Sequence, residues 1–295
     1  MNRIGIFVNE TKPKAKEVAS ELHMLIENKG GKAFLEENMA KVLGLHEKGL
    51  SLSQFAEKVD LVFVIGGDGT LLGIARELAA YSLPILGFNV GNMGFLSEAE
   101  PDDLSGAVDR VLAGNYCIEK RFMLHTEVIR AGNVMKSGIA LNDVGIAKGS
   151  FSRMITCNVQ MDGRLIGTYS GDGVIVSTPT GSTAYSLSCG GPLVFPGIQA
   201  LLLTPICPHT LTARPMVLPP ESVLDIHVSA RHCELEATLD GQVGFCLQSG
   251  DLVRVKRANH HTLLVKWKER SFFDVVRKKL QASEQEASDE SAKTY

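Results

Sequence analysis

An uninterrupted apolar run from Leu61 to Ile65 limits the folds open to this chain more than any other segment, because it leads directly into glycines and then a helical pattern. Five consecutive apolar residues fit a parallel strand that is buried on both faces. Apolar residues at helical spacing follow from Leu71 to Ala80. The segment therefore predicts a strand, a tight turn and a helix within an α/β layer structure.

The same alternation of apolar runs and helical patterns extends over the first third of the chain. Ile4 to Val8 predicts a strand, and the helical spacing that follows it predicts a helix ending at Gly30 and Gly31. Three further elements are predicted: a strand over Lys32 to Leu35, a strand over Pro84 to Phe88 and a helix over Pro101 to Leu112. We therefore expect a doubly wound α/β domain over residues 1–116.

From about residue 117 the pattern changes to period two, which is typical of strands with one buried face. Seven segments share it: Met123 to Arg130, Ile139 to Ala147, Ile155 to Met161, Gly173 to Ser177, Val223 to Ser229, Glu234 to Leu239 and Leu252 to Lys256. Asp162-Gly163 and Asp240-Gly241 separate such runs, as hairpin turns do. We expect a mainly β domain over residues 117–270. A helix over 271–282 that packs on the N-terminal domain and a disordered acidic tail over 283–295 should follow.

Charge and composition argue against several classes of function. The net charge is −3, without the basic stripe that nucleic-acid binding requires. The apolar runs fall below the ~18 residues of a membrane span, and the first is too short for a signal peptide. We expect a cytoplasmic protein with no nucleic-acid or membrane partner. Six cysteines without a C-x-x-C pair predict no metal site built from dedicated side-chain ligands.

The loop from Gly66 to Thr70, Gly-Gly-Asp-Gly-Thr, lies at the predicted carboxyl end of a strand, where open α/β sheets bind ligands. Glycines let the backbone approach phosphate oxygens, and N–H groups at a helix start favour anions. A carboxylate beside a phosphate costs Coulomb energy unless it accepts a proton or shares a cation, so Asp68 is a candidate general base for phosphoryl transfer. The alternative is that Asp68 only caps the following helix. No P-loop motif, G-x-x-x-x-G-K-[ST], occurs in the sequence.

A second candidate site is the hydroxyl-rich segment, Ser177 to Ser188, in which eight of twelve residues carry a hydroxyl. That density suits hydrogen bonds to a polyhydroxylated, phosphate-bearing ligand, and Tyr185 offers a ring on which a base can stack. The alternative is a serine-rich turn whose hydroxyls satisfy its own backbone.

A third candidate is Asn142-Asp143, which lies between two apolar runs. Adjacent residues of a strand point to opposite faces, so both side chains can meet one ligand only if the chain turns or ends there.

In order and spacing, these segments together with Asp240-Gly241-Gln242 resemble the NAD kinases, over about residues 4–280. The Gly-Gly-Asp-Gly loop alone is shared with lipid kinases and phosphofructokinases, so the run Thr178 to Tyr185 is the most specific part of the resemblance. The family commonly has Asn-Glu where this chain has Asn142-Asp143, which shortens the carboxylate side chain by one methylene.

The resemblance implies an α/β domain followed by a β-rich domain, as in NAD kinases and diacylglycerol kinases. It also implies an enzyme that phosphorylates the 2′-hydroxyl of the adenosine ribose of NAD with ATP and magnesium, giving NADP and ADP. A homodimer or homotetramer would be expected. Asp68 would be the catalytic base, and the phosphate loop would be formed by Gly66, Gly67, Gly69 and Thr70. The residues that would contact NAD are Asp68, Gly69, Asn142, Asp143, Arg153, Asp172, Thr183, Ala184, Tyr185, Ser186, Leu187, Ser188 and Gln242.

Two alternatives stay open on the sequence. A lipid or sugar kinase with the same glycine loop is disfavoured by the hydroxyl-rich segment. A sensor that binds NAD or NADP without turnover is disfavoured by Asp68, because a pure binder gains nothing from a carboxylate at the transfer point.

Overall fold

The computed structural model describes residues 2–9, 14–90, 94–149, 153–210, 212–230 and 234–279. The chain forms two compact units. The first comprises the chain up to Leu71, Ile85–Ile118 and the chain from Leu264, and the second comprises Leu72–Pro84 and Glu119–Leu263. The expected disordered tail and residues 280–282 of the expected C-terminal helix lie outside the described residues.

The strands and helices have the following bounds. The strands are β1 (Arg3–Val8), β2 (Lys32–Glu36), β3 (Gly49–Leu50), β4 (Leu61–Gly66), β5 (Pro84–Asn89), β6 (Cys117–Arg121), β7 (Leu124–Arg130), β8 (Asn133–Ala140), β9 (Asp143–Lys148), β10 (Ile155–Met161), β11 (Arg164–Gly171), β12 (Gly173–Ser177), β13 (Leu201–Ile206), β14 (Met216–Leu218), β15 (Leu224–Ser229), β16 (Leu235–Leu239), β17 (Val243–Leu247), β18 (Leu252–Arg257) and β19 (Thr262–Lys266). The helices are α1 (Ala15–Asn28), α2 (Glu37–Val42), α3 (Leu52–Lys58), α4 (Asp68–Leu78), α5 (Leu104–Leu112), α6 (Tyr185–Ser188) and α7 (272–279).

The predicted parallel sheet is confirmed. A seven-stranded sheet has the order β3-β2-β1-β4-β5-β19-β6, and β1 to β5 pair in parallel. Every residue of β4 is buried, as its uninterrupted apolar run requires. Helix α1 buries the face that its spacing of three and four predicts, and it is followed by Gly30 at φ 81°, a left-handed conformation that glycine adopts without strain.

Two short helices, α2 and α3, were not predicted. Both depend on local hydrogen bonds more than on apolar periodicity. The Glu36 side chain accepts from the N–H groups of Asn38 and Met39, and Ser51 with Gln54 forms a capping box. Six or seven residues are too few to display a helical period.

The second unit contains two six-stranded antiparallel sheets, in the orders β11-β10-β15-β18-β7-β8 and β14-β13-β12-β9-β16-β17. One hydrophobic cluster includes Val128 and Val253 from the first sheet and Val144 and Val176 from the second, so the sheets pack face to face. Both predicted hairpin turns are confirmed, because Asp162-Gly163 and Asp240-Gly241 have positive φ at each residue.

The compact units meet along the chain at Ile118 and Glu119 and again at Leu263 and Leu264, and the domain boundaries at residues 116 and 270 stay predictions. Strands β6 and β19, which the sequence assigned to the β-rich domain, lie in the seven-stranded sheet. Residues 72–84 group with the second unit. The period of a strand identifies its buried face but not the sheet it joins, so the sequence could not make this distinction. In the part of the chain described here, no helix is both long and apolar enough to cross a bilayer.

Candidate active site

The Gly-Gly-Asp-Gly loop joins β4 to α4 in the predicted position. The Gly67 carbonyl accepts hydrogen bonds from the N–H groups of Thr70 and Leu71, at 3.0 and 3.2 Å, and so begins the helix. A Cβ added to Gly66 would lie 2.5 Å from Thr70 Oγ1, whereas one added to Gly67 would meet no atom of the described residues within 4 Å. Gly66 is therefore required by packing, and no described residue covers the Cα of Gly67.

The Asp68 side chain is half-buried at the start of α4. Its Oδ2 accepts from the Phe95 N–H at 2.8 Å and its Oδ1 from the Leu96 N–H at 3.3 Å. The carboxylate is thus bonded to a segment outside its own helix, at residues 95 and 96. Sequence analysis could not predict this contact, because its partners lie 27 and 28 positions along the chain from Asp68.

In the second unit the chain turns at Asn142, which is the condition for both residues of the Asn142-Asp143 pair to face one ligand. β8 ends at Ala140 and β9 begins at Asp143, so the single strand predicted over Ile139 to Ala147 is wrong. The reason is a buried carboxylate: Asp240 accepts from the N–H groups of Leu141, Asn142 and Asp143 at 3.1, 2.7 and 3.1 Å.

Asp240 is also the centre of an ion pair that sequence analysis missed. Its fully buried carboxylate lies 2.6 Å from the Arg76 guanidinium, which is 13% exposed. The same guanidinium donates to Gln242 Oε1 at 2.6 Å. The Asp-Gly-Gln segment therefore holds the Asn142 turn in place, in addition to forming the hairpin that its sequence predicts.

The Asp143 side chain is 5% exposed. Burial, and secondarily the negative charge of Asp240, raises the pKa of Asp143 from 3.8 to about 7. Near neutral pH this carboxyl is therefore divided between its neutral and charged forms, although a free aspartate would be fully charged.

Replacing Asp143 with Asn should stabilise the ligand-free protein at pH 8 and much less at pH 5. The folded-state pKa is raised, so between about pH 4 and 7 the folded chain binds more protons than the unfolded chain. Stability therefore falls as the pH rises through this window, and Asn does not ionise. Thermal melting from pH 5 to 8 should show the variant gaining several degrees, at about 2–4 °C per kcal/mol. If the difference in melting temperature between the variant and wild type does not change with pH, the stabilisation does not come from the ionisation of Asp143.

Much of the hydroxyl-rich segment is bonded within the chain. Five serine and threonine hydroxyls have such partners. Thr178 Oγ1 donates to the Leu141 carbonyl, Ser182 Oγ to the Pro179 carbonyl and Thr183 Oγ1 to the Thr180 carbonyl. Ser186 Oγ pairs with Thr204 Oγ1, and Thr180 Oγ1 accepts from the Arg121 guanidinium at 3.4 Å. The interpretation of a turn that satisfies its own backbone thus describes Ser182 and Thr183, and also Thr178, whose Oγ1 accepts the Gly181 N–H at 3.1 Å. Tyr185, 48% exposed, and Ser188 are open to solvent.

The hydroxyl-rich segment packs directly on the Asn142 turn. The Thr178 N–H donates to the Asn142 carbonyl at 2.8 Å, and a Cβ added to Gly181 would clash with that carbonyl. Three of the predicted segments, Leu141 to Asp143, Ser177 to Ser188 and Asp240 to Gln242, are therefore brought together within the second unit.

The remaining predicted residues differ in their surroundings. Arg153 is exposed, and Asp172 is half-buried with an ion pair to Lys148 at 3.0 Å. Ala184 and Leu187 are half-buried. Asp68 and the phosphate loop lie in the first unit. Among the described residues, no three His, Cys, Asp or Glu side chains are grouped to hold a metal ion.

Comparisons with known proteins agree over both units. The ATP-NAD kinase N-terminal domain family matches residues 4–116, and the ATP-NAD kinase C-terminal domain family matches residues 141–267. An NAD kinase of Moorella thermoacetica is 43% identical over 290 residues, which cover 98% of this chain and 93% of that protein. An NAD kinase of Natranaerobius thermophilus is 38% identical over 280 residues, covering 95% of this chain and 98% of that protein.

Two solved structures have the same fold. A yeast NADH kinase complexed with NADH has a TM-score of 0.83 at 24% identity, covering 94% of this chain and 86% of that one. An NAD kinase from Archaeoglobus fulgidus in complex with ATP has a TM-score of 0.72 at 21% identity, covering 95% and 99%. With both family domains in order and relatives near 40% identity over almost the full length, the chain belongs to the NAD kinase family and is a kinase that uses ATP to convert NAD to NADP.

Proposed function

We propose that Asp68 is the general base of this reaction and that it accepts the proton of the 2′-hydroxyl on the adenosine ribose of NAD. The new bond joins the 2′-oxygen to the γ-phosphorus of ATP, the bond from that phosphorus to the bridging β,γ-oxygen breaks, and ADP leaves. The observation that carries this assignment is the Asp68 carboxylate, held by two backbone N–H groups beside Gly67, whose Cα no described residue covers. A base must be oriented toward the proton it removes, and these bonds supply an orientation.

The divalent ion is assigned to the ATP substrate. We propose that magnesium enters bound to the triphosphate and neutralises charge that develops on the phosphoryl oxygens. Gly66, Gly67, Gly69 and Thr70 are assigned to the phosphates, because α4 begins here and its N-terminal N–H groups favour anions. The crystal structure of the Archaeoglobus fulgidus relative with ATP supports ATP as the donor.

We assign NAD binding mainly to the second unit. Asn142 and Asp143 are proposed to hold the adenosine half, since the Asp240 carboxylate fixes the backbone that carries both. The exposed ring of Tyr185 is suited to stacking on a base, and Thr183 to Ser188 supply the wall around it. Arg153, Asp172 and Gln242 are proposed as further contacts on the resemblance to the family.

We further propose a cytoplasmic homodimer or homotetramer. Strand β11 lies at the edge of its sheet and exposes Leu165, and an open strand edge is a surface on which a second copy can pair. Analytical ultracentrifugation of the purified protein measures the number of subunits directly.

Replacing Gly67 with Ala should raise the KM for ATP without unfolding the protein. Within the described part of the chain the added methyl meets no atom within 4 Å, and it lies on the side of the loop that we assign to the phosphates. Loss of one hydrogen bond to a charged group weakens binding on the order of 10-fold or more. Gly66→Ala is the contrast, because its methyl would press on Thr70 and lower the melting temperature. An unchanged KM for ATP in Gly67→Ala would remove Gly67 from the phosphate site.

The reaction itself is tested by NADP formation. Purified protein is incubated with NAD, ATP and magnesium, and NADP is read by a coupled NADP-specific dehydrogenase. We expect a signal that requires both ATP and NAD. Bound NAD without any product would instead support a sensor, and product from a lipid or sugar in place of NAD would support the broader kinase superfamily.

A further inference from the structure

The Asp68 carboxylate is held by a short segment that none of the sequence motifs includes. Each of its two oxygens accepts one backbone N–H, from Phe95 at 2.8 Å and from Leu96 at 3.3 Å. Two bonds to two different oxygens fix both the position and the plane of a carboxylate, whereas a single bond leaves it free to rotate. Among the described residues no other donor is bonded to these oxygens, so each keeps a second acceptor site for a substrate proton.

Gly94 lies against the same carboxylate. A Cβ added to this residue would fall inside the van der Waals radii of Oδ1, Oδ2 and Cγ of Asp68. The side chain cannot keep this orientation beside any residue larger than glycine. The Gly94 N–H donates to Ser97 Oγ at 3.3 Å, which closes the turn that presents the next two amides to Asp68.

The segment is anchored at its other end by a buried ion pair. The Glu98 carboxylate, 1% exposed, lies 2.8 Å from Lys266 Nζ and accepts the Trp267 N–H at 3.1 Å. The Arg270 guanidinium donates to the Glu98 carbonyl at 2.6 Å, and the Glu98 N–H donates to the Gly87 carbonyl of β5 at 3.0 Å. Four bonds thus fix Glu98 between β5 and the residues from Lys266 onward, all within the first unit.

We propose that the backbone of Gly94 to Leu96, anchored by Glu98, is the positioning element for the catalytic base. It sets the carboxylate plane of Asp68 before substrate binds, so that proton transfer needs no side-chain rearrangement. The inference rests on the proposed role of Asp68 and adds to it a group of residues that act on turnover through the Asp68 carboxylate.

The test is a double-mutant cycle between Gly94→Ala and Asp68→Asn, with kcat and both KM values measured. We expect Gly94→Ala to lower kcat by about 100-fold or more, as loss of a general base does, with a KM for ATP within about threefold of wild type. In the Asp68→Asn background the same change should cost nothing further, because the base that it displaces is already absent. Gly106→Ala is the matched control, because its methyl would press on the Asp103 carboxylate at the start of α5 in the same way, and it should keep its kcat.

Glu98→Gln is the second variant and keeps the proposal testable if Gly94→Ala fails to fold. It preserves size and the acceptor for Trp267, removes the charge opposite Lys266, and should lower kcat several-fold only when Asp68 is present. If the losses in kcat caused by Gly94→Ala and Asp68→Asn multiply in the double variant, the positioning role is overturned and Asp68 stays the base. A near-normal kcat in Gly94→Ala has the same meaning. Near-normal kcat in Asp68→Asn alone overturns both assignments.

Discussion

Asp68→Asn should lower kcat by at least about 100-fold while the protein keeps its fold, because general base catalysis typically contributes 10²- to 10⁴-fold. The amide has nearly the shape of the carboxylate but cannot accept the hydroxyl proton. It also places an NH2 group toward one of the two N–H donors of Phe95 and Leu96, so one of those hydrogen bonds is lost. Steady-state NADP formation measures the loss, and thermal melting checks the fold.

Asp103→Asn is the matched control for that variant. Asp103 also stands at a helix start, and its side chain caps α5 by accepting the Gly106 N–H at 3.0 Å. Asparagine caps helices about as well as aspartate, so this variant should keep both stability and kcat. If the two variants behave alike, Asp68 is a structural residue and the proton goes elsewhere.

Asp240→Ala should destabilise the fold by about 3–5 kcal/mol, the usual effect of removing one partner of a buried ion pair. It leaves the Arg76 charge nearly buried and removes the acceptor of three backbone N–H groups at Leu141, Asn142 and Asp143. The turn that carries the proposed adenosine contacts then loses its support, so the KM for NAD should rise as well. Urea unfolding gives the stability change, and initial rates give the KM.

Asp225→Ala provides the comparison within the same unit. Asp225 makes an ion pair with Arg254 at 2.7 Å, but both side chains are partly exposed, 19% and 36%. Surface pairs of this kind contribute about 0–1 kcal/mol, so the variant should differ little from wild type. Equal changes in the free energy of unfolding for Asp240→Ala and Asp225→Ala would show that burial and the three amide hydrogen bonds of Asp240 add nothing to stability.

The parts of the fold that could be predicted are those in which one element carries its own signal. The apolar run of β4, the helical face of α1 and the Asp-Gly turns each specify a conformation through nearest neighbours along the chain. Helices α2 and α3 were missed because helices of six or seven residues are too short to show a period and are stabilised by capping hydrogen bonds. The split between β8 and β9 was missed because the acceptor that turns the backbone, Asp240, is about 98 residues away.

The candidate site shows the same limit. Asp68 could be found because a carboxylate among glycines at the end of a strand is chemically unusual. Gly94 and Glu98 could not, because their importance lies in what they contact across the sheet, and neither residue is exceptional where it stands in the sequence. The density of hydroxyls could not separate a ligand-binding segment from a turn that satisfies its own backbone, and many of these hydroxyls bond to the chain itself.

Those internal bonds also bear on the thermodynamics of association. Ser182 Oγ donates to the Pro179 carbonyl and accepts the Val194 N–H, so the hydroxyl-rich segment has its shape before a ligand arrives. The entropy of ordering this loop is lost during folding, and little of it is left to be lost when a dinucleotide binds. Substituting Ser182 would therefore weaken affinity through added freedom in the unliganded state, with an unfavourable binding entropy as its signature, although this buried side chain is turned toward the protein.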